Sequence, residues 1–428
     1  MAKKNTGSGS FSFEAFDSEL SKIPGMELGS IISKNTFSVV TDHIHTGNYL
    51  LNAQISGSLF GGVANARSLG LVGDPETGKT FICLNIAANA IKQGYYVFWC
   101  DTEGAVEDED FRKFGINTDP EKGPVNLRYD PIKTVEQFKI FMGNIISKKE
   151  KHEKEFGEPL KFVVFLDSMG MMNTEKEVND LADNKSKSDM GIKAKQLRAL
   201  FRAITLDMTG AKIPLIATNH TTIGGIGSYT GPTKESAGGD GPIFSFSNVL
   251  FFSKKMLNGS NDDLNKKADA KTATGILITS RQKKSRKQLK IPITMHVSFR
   301  GGMNPFVGLE DYVSWEACGI ERGKIMTPKE YEKAGKPGYE FTKKIEQVDK
   351  KTGEVTYKDE QAFFVPSASG RWCVKHLGKS LPAARYLFTK EVFPDEVLKQ
   401  LDENSIKKAF KLPDISEEEE DYGFGDEE

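Results

Sequence analysis

Gly73-Asp74-Pro75-Glu76-Thr77-Gly78-Lys79-Thr80 fits the pattern GxxxxGK[ST], and its flanks decide what the match means. Residues 68–72 before it form a short apolar run of strand type, and residues 80–92 after it carry a helical pattern. A glycine-rich turn between a strand and a helix curls its backbone N–H groups around phosphates, and the helix N-terminus adds a favourable dipole. Lys79 then reaches the β- and γ-phosphates, and Thr80 holds Mg²⁺ through its hydroxyl. The expectation is an ATP-hydrolysing chain with ATP and Mg²⁺ as cofactors.

Outward from this loop the pattern stays regular. Strand-like runs stand at 95–100, 162–166, 215–218, 249–252, 275–279 and 291–299, with helical patterns at 134–149 and 192–208. Strands alternating with helices of this length predict an α/β fold built from parallel βαβ units. The later strands follow one another closely and predict an antiparallel extension of the same sheet. Two stretches interrupt the regularity: 171–190 is polar and helix-poor, and 221–241 holds seven glycines. Both follow strands, at the ends where open α/β sheets bind ligands. Loops this long inside a compact domain are usually functional.

Three strand ends carry chemistry to that rim. Residues 162–166 lead into Asp167-Ser168, and an aspartate there orients Mg²⁺ beside the phosphate loop. Residues 95–100 lead into Asp101-Thr102-Glu103, where a glutamate can polarise an attacking water. Residues 213–218 lead into Asn219-His220, where a polar side chain can sense the γ-phosphate and pass its presence into the glycine-rich loop. Taken singly, each has a plain structural reading: a strand-capping acid, a solvated acid, a structural histidine. Pairing with the phosphate loop favours the chemical one. Residues 281–290 hold six bases and no acid, which suits contact with phosphates of nucleic acid or ATP. Lys176, Lys185 and Lys187 in the first loop, and Gly225, Tyr229 and Lys234 in the second, suit tracking a single strand, with a ring available for base stacking.

In order along the chain, these features resemble the RecA family of recombinases, and within it the UvsX-type branch of tailed bacteriophages. The resemblance runs from Ile44-His45-Thr46-Gly47 through 73–80, Asp101-Thr102-Glu103, Leu166-Asp167-Ser168, Thr218-Asn219-His220 and Gly238-Gly239-Asp240 to Gly301-Gly302-Met303-Asn304-Pro305. It implies a RecA-type P-loop ATPase core with a mostly parallel sheet extended by antiparallel strands. It further implies a DNA-dependent ATPase that forms a helical homo-oligomer on single-stranded DNA and exchanges strands with homologous double-stranded DNA. A mediator or single-strand-binding protein is an expected further partner. By the same resemblance Glu103 is the catalytic glutamate, Lys79 and His220 act with it, and Thr80 with Asp167 holds the metal. The loops at 171–190 and 221–241 contact DNA. Lys283 and Arg286 fall where the family sends bases into a neighbour's ATP site. Where many members stack an aromatic on adenine stands Asp110, and Phe111 beside it is taken as the contact. A ring helicase on the same core and an ATP-binding mediator without turnover are the competing readings.

Bulk properties bound the rest. The chain has 428 residues, 27% of them charged, and contains no apolar run of the roughly 20 residues that span a bilayer. Its basic start lacks the apolar stretch of a secretory signal. Four cysteines without CxxC spacing argue against a zinc site and fit a reducing, cytoplasmic compartment, the host's if the chain is phage-encoded. Nine acids and no base stand in 414–428, so a net charge of −1 conceals a body at +8. Such a body suits a polyanion partner, with a tail able to compete for it. The expected divisions are an oligomerising arm at 1–36, the core at 37–310, a small α+β domain at 311–412 and the acidic tail at 413–428. Within the small domain, 339–361 reads as a hairpin and 381–408 as helical.

Overall fold

The computed structural model describes residues 12–26, 32–183, 190–224, 233–237, 243, 245–258, 273–314, 319–348, 355–374, 377–381 and 388–412. At its centre lies the phosphate-loop strand β3 (Ser68–Gly73), between β7 (Leu215–Gly224) and β9 (Asn248–Asn258), both parallel to it. Beyond β7 come β6 (Phe162–Asp167), β4 (Tyr96–Asp101) and the edge strand β5 (Leu127–Pro131), all parallel. Beyond β9 the sheet turns antiparallel through β10 (Ala273–Lys284), β11 (Ile293–Ser298) and β12 (Gly302–Met303). A two-stranded ribbon, β1 (His43–Ile44) and β2 (Val63–Ala64), stands apart. The predicted fold class holds, with one change of register: the run at 249–252 is parallel to β3, so the antiparallel extension begins one strand later.

Helices cover the sheet because its strands are apolar on both sides. Val163, Val164, Phe165 and Leu166 are each 0% exposed, as expected of a parallel strand buried on two faces. One face packs against α3 (Lys79–Lys92) and α2 (Tyr49–Ser56), which Asn48 caps. A short helix, α4 (Asp108–Lys113), follows β4 and adds Phe111 to the same core. The other face packs against α5 (Val135–Phe156), capped by Thr134, and α7 (Met190–Gly210). The first predicted loop contains a helix after all, α6 (Glu175–Ala182). Thr174 and Glu177 form its capping box, a start signal legible in Thr174-Glu175-Lys176-Glu177. In the second, β7 continues to Gly224 and pairs with β8 (Thr233–Ser236), a hairpin whose tip lies outside the described residues.

At the N-terminus, α1 (Phe13–Leu20) is capped by Ser12 and buries none of its residues. The C-terminal part holds a second sheet in the order β14-β15-β13-β16-β17: Tyr339–Val348, Val355–Pro366, Ile320–Met326, Arg371–Val374 and Lys379–Ser380. The hairpin is there, between β14 and β15. The helical reading of 381–408 is too long: among its described residues helix starts at Asp395–Leu401, after Pro394. Phe393, Leu398 and Phe410 join the same core as Leu50 and Leu59. Asp402 secures this junction, accepting from Ser58 Oγ at 2.8 Å and Leu59 N at 2.6 Å. Asp402→Ala strands a buried N–H and should destabilise the fold by about 2 kcal/mol. Urea unfolding measures it; an unchanged midpoint would show that the junction does not depend on this carboxylate.

Candidate nucleotide site

The loop at 73–80 connects β3 to α3 as the sequence predicts. Gly78 has φ +87°, and a Cβ there would lie 2.6 Å from Ile278 Cδ1, so both conformation and space require glycine. Lys79 Nζ is 2.9 Å from the carbonyl oxygens of Gly73 and Asp74, holding the ammonium inside the turn. Thr77 Oγ1 donates to Asp74 O at 2.8 Å. Glu76 is pinned from outside by Lys254 of β9, 2.8 Å away. Burial lowers the Lys79 pKa, while the charges of Asp167, Glu103 and Asp74 oppose the change.

The three strand ends converge on this loop. Asp167, at the end of β6, is buried and accepts from Thr80 Oγ1 at 2.7 Å on Oδ2 and from Thr218 Oγ1 at 2.5 Å on Oδ1. Glu103 follows β4, its turn tied by Asp101 Oδ1, which accepts from the N–H groups of Glu103 and Gly104 at 2.8 Å each. Ser168 Oγ donates to Glu103 Oε1 at 2.6 Å, and His220 Nε2 lies 2.9 Å from the same oxygen. Burial raises the Glu103 pKa, but the bonds from Ser168 and His220 with the nearby positive charge outweigh it and leave it lowered. An ionised carboxylate only accepts, so Nε2–H of His220 donates. Both donors occupy Oε1, which leaves Oε2 for a water.

Lys79, Thr80, Asp167, Glu103 and His220 thus form one cluster with the loop Gly73 to Thr80. Its donors fit the implied cofactors: a hydroxyl and a carboxylate, both hard oxygen ligands suited to Mg²⁺, adjoin an ammonium held in a phosphate-type turn. Other predicted residues lie elsewhere. Phe111 is buried, edge-on to Trp99 at 5.3 Å, and joins the core, away from the cluster, while also lining a cavity with Val106 and Tyr129. Lys283 and Arg286 stand toward the opposite end of the sheet from their own phosphate loop, because Lys284 pairs with Val249 and Gly73 with Phe252. The run 281–290 also begins inside β10 rather than between strands. Lys176 is exposed on α6, and Lys234 falls on β8. Lys185, Lys187, Gly225 and Tyr229 lie outside the described residues. Sequence reasoning missed Thr218 and Thr221, which donate to Asp167 and Asp74. Their signal is proximity to His220 on the same strand.

The sheet order, with the phosphate loop flanked by β7 and β9 and acids at the ends of β4 and β6, defines a P-loop protein with a RecA-type core. No protein-family model matches the chain. It is 27% identical over 321 residues to the recombination and repair protein of Enterobacteria phage T4, covering 73% of this chain and 72% of that one. It is 26% identical over 197 residues to Protein RecA of Arthrobacter sp. (strain FB24), covering 46% and 49%, and 23% identical over 255 residues to the mitochondrial DNA repair protein recA homolog 3 of Arabidopsis thaliana, covering 59% and 52%. The chain thus spans about half the length of these last two relatives. These similarities support a RecA-family, UvsX-like protein. Among the described residues no helix is long and apolar enough to cross a membrane.

Asp167 makes the site costly to the fold. Burial raises its pKa, the hydroxyl donors oppose this, and the charges of Glu103 and Asp101 reinforce it. An acid raised on folding weakens the folded state once ionised: the cost is absent below its unfolded pKa and grows as pH rises through the folded one. Asp167→Asn should therefore raise the melting temperature of the nucleotide-free chain at pH 7, with the gain vanishing near about pH 4. A lower melting temperature at pH 7 would contradict this.

Proposed function

We propose that the chain is an ATP-dependent homologous recombinase, which forms a filament on single-stranded DNA and pairs that strand with homologous duplex. The observation that carries this reading is the Glu103–His220 contact. It joins the group best placed to activate water to the first residues of a hairpin whose tip is the second predicted DNA loop. The two RecA-type matches and the phage match, itself named for recombination and repair, support the same direction.

In this mechanism Lys79 binds the β- and γ-phosphates, and Thr80 and Asp167 hold Mg²⁺, which when bound neutralises charge on the phosphate oxygens. Thr218 orients Asp167. Glu103, kept ionised by Ser168 and His220, takes a proton from water at Oε2. A γ-phosphate bound beside the loop would compete with Glu103 for the Nε2–H of His220, exchanging one hydrogen bond for another at the root of the hairpin. Such an exchange biases the DNA loop between two states, and hydrolysis reverses the bias. Ala237 N donates to His220 O at 2.9 Å, and Asn219 Nδ2 donates to Ser236 Oγ at 2.6 Å, so the two hairpin strands move together at this point. Lys283 and Arg286, remote from their own loop, are assigned to a neighbouring subunit's site. The arm containing α1, with its wholly unburied helix, is assigned to assembly.

The decisive experiment measures ATP turnover with and without single-stranded DNA, then images the product by electron microscopy. Stimulated turnover and helical filaments are expected; rings would favour a helicase, and absence of stimulation in folded protein would sink the proposal. Glu103→Gln should retain nucleotide binding and lose turnover by about 10²-fold or more.

A further inference from the structure

At the end of β3 opposite the phosphate loop lies a cavity of about 730 Å³, bordered by Arg67, Arg198, Arg202 and Arg286. Ser68, the first residue of β3, lines it, whereas Gly73 opens the phosphate loop. A six-residue strand separates the two sites by roughly 20 Å. Phe201, Ile213 and Leu215 supply an apolar floor. Among the described residues no carboxylate lines this cavity. Among the same residues none of the four arginines is in an ion pair, and Arg67 spends its guanidinium on the carbonyl oxygens of Ala66 and Ser38. Burial and the neighbouring Arg286 both lower the Arg67 pKa. Four like charges gathered around a concave apolar surface repel one another, and an anion placed among them relieves the repulsion.

The chain supplies such an anion beside the cavity. Leu412 N donates to Lys287 O at 3.3 Å, and Lys411 bridges to Gln288, so the last described residue adjoins Arg286. The sixteen residues that follow contain nine acids, and among the acids stand Tyr422 and Phe424. Sixteen residues extend up to about 50 Å, enough to cross the cavity from this starting point. The acids match the arginine rim and the two aromatics match the apolar floor.

We propose that residues 413–428 dock in the four-arginine cavity, as an intramolecular ligand that keeps it from other anions. The proposal uses neither the phosphate loop nor the DNA loops, and shares only Arg286 with the bases assigned to a neighbouring subunit's site. Docking through charge pairs at an open cavity weakens as salt screens them.

The test is arginine modification by phenylglyoxal, read residue by residue by mass spectrometry on full-length protein free of nucleic acid. The comparison is the full-length variant Glu417→Gln, Glu418→Gln, Glu419→Gln, Glu420→Gln, Asp421→Asn. Arg198, Arg202 and Arg286 should react about threefold or more slowly in the native chain at low salt, where screening is weak. Arg112 and Arg128 serve as controls with unchanged rates. The protection should disappear at high salt and stay constant on dilution. Equal rates in both proteins overturn the proposal. Protection that persists in the variant assigns the cavity to another anion, and protection lost on dilution assigns it to a second copy's tail; either also overturns it.

Discussion

Two threonine hydroxyls meet at one buried carboxylate, and the active arrangement depends on that meeting. Thr80 opens the helix after the phosphate loop, Asp167 ends β6, and Thr218 lies in β7. Three elements distant in sequence are thereby fixed at one point, where burial makes a carboxylate expensive unless its oxygens are satisfied. The neighbouring Glu103 is set by the same strands, through Ser168 beyond β6 and His220 in β7. β7 therefore touches Asp167, Glu103 and, through Thr221, the loop acid Asp74. No other described strand reaches all three acids, and this one continues into the hairpin.

Such a site trades stability for poise. Burial disfavours the ionised form of Asp167, while hydrogen bonds from Ser168 and His220 favour the ionised form of Glu103. Two carboxylates a strand apart are driven in opposite directions by their surroundings, an arrangement found where acid and metal roles are divided. Lys79 completes the set, its charge retained against burial by the surrounding acids.

Most of this arrangement is legible in the amino-acid sequence. The loop at 73–80 is readable because its pattern and both flanking elements are local, and the buried strands announce themselves as continuous apolar runs such as Phe162-Val163-Val164-Phe165-Leu166. Asp167, Glu103 and His220 follow, since strand ends in an open α/β sheet share one rim. What escapes a sequence reading depends on tertiary context. β5 is hidden because Leu127-Arg128-Tyr129-Asp130-Pro131 is an edge strand, half polar and ending in proline. Phe111 looks exposed in the sequence, yet it is buried against Trp99. Thr218 stands in the stretch 218–220 with no role legible there; only the register between β6 and β7 puts its hydroxyl beside Asp167.

The contact of Gly78 with Ile278 ties the phosphate loop to the antiparallel half of the sheet. Ile278 pairs with Lys254, the residue that holds Glu76, so the loop rests on adjacent rungs of β9 and β10. Lys283 lies five residues further along β10, where the pairing with β9 slips by one residue between Gln282 and Lys284. In the filament reading, the platform under one subunit's nucleotide and the bases offered to the next subunit's nucleotide belong to one strand, β10. In that reading a small tilt of the strand, caused by occupancy at one end, would change the reach at the other. Successive sites along a filament would then keep step through a lever rather than through diffusing signals.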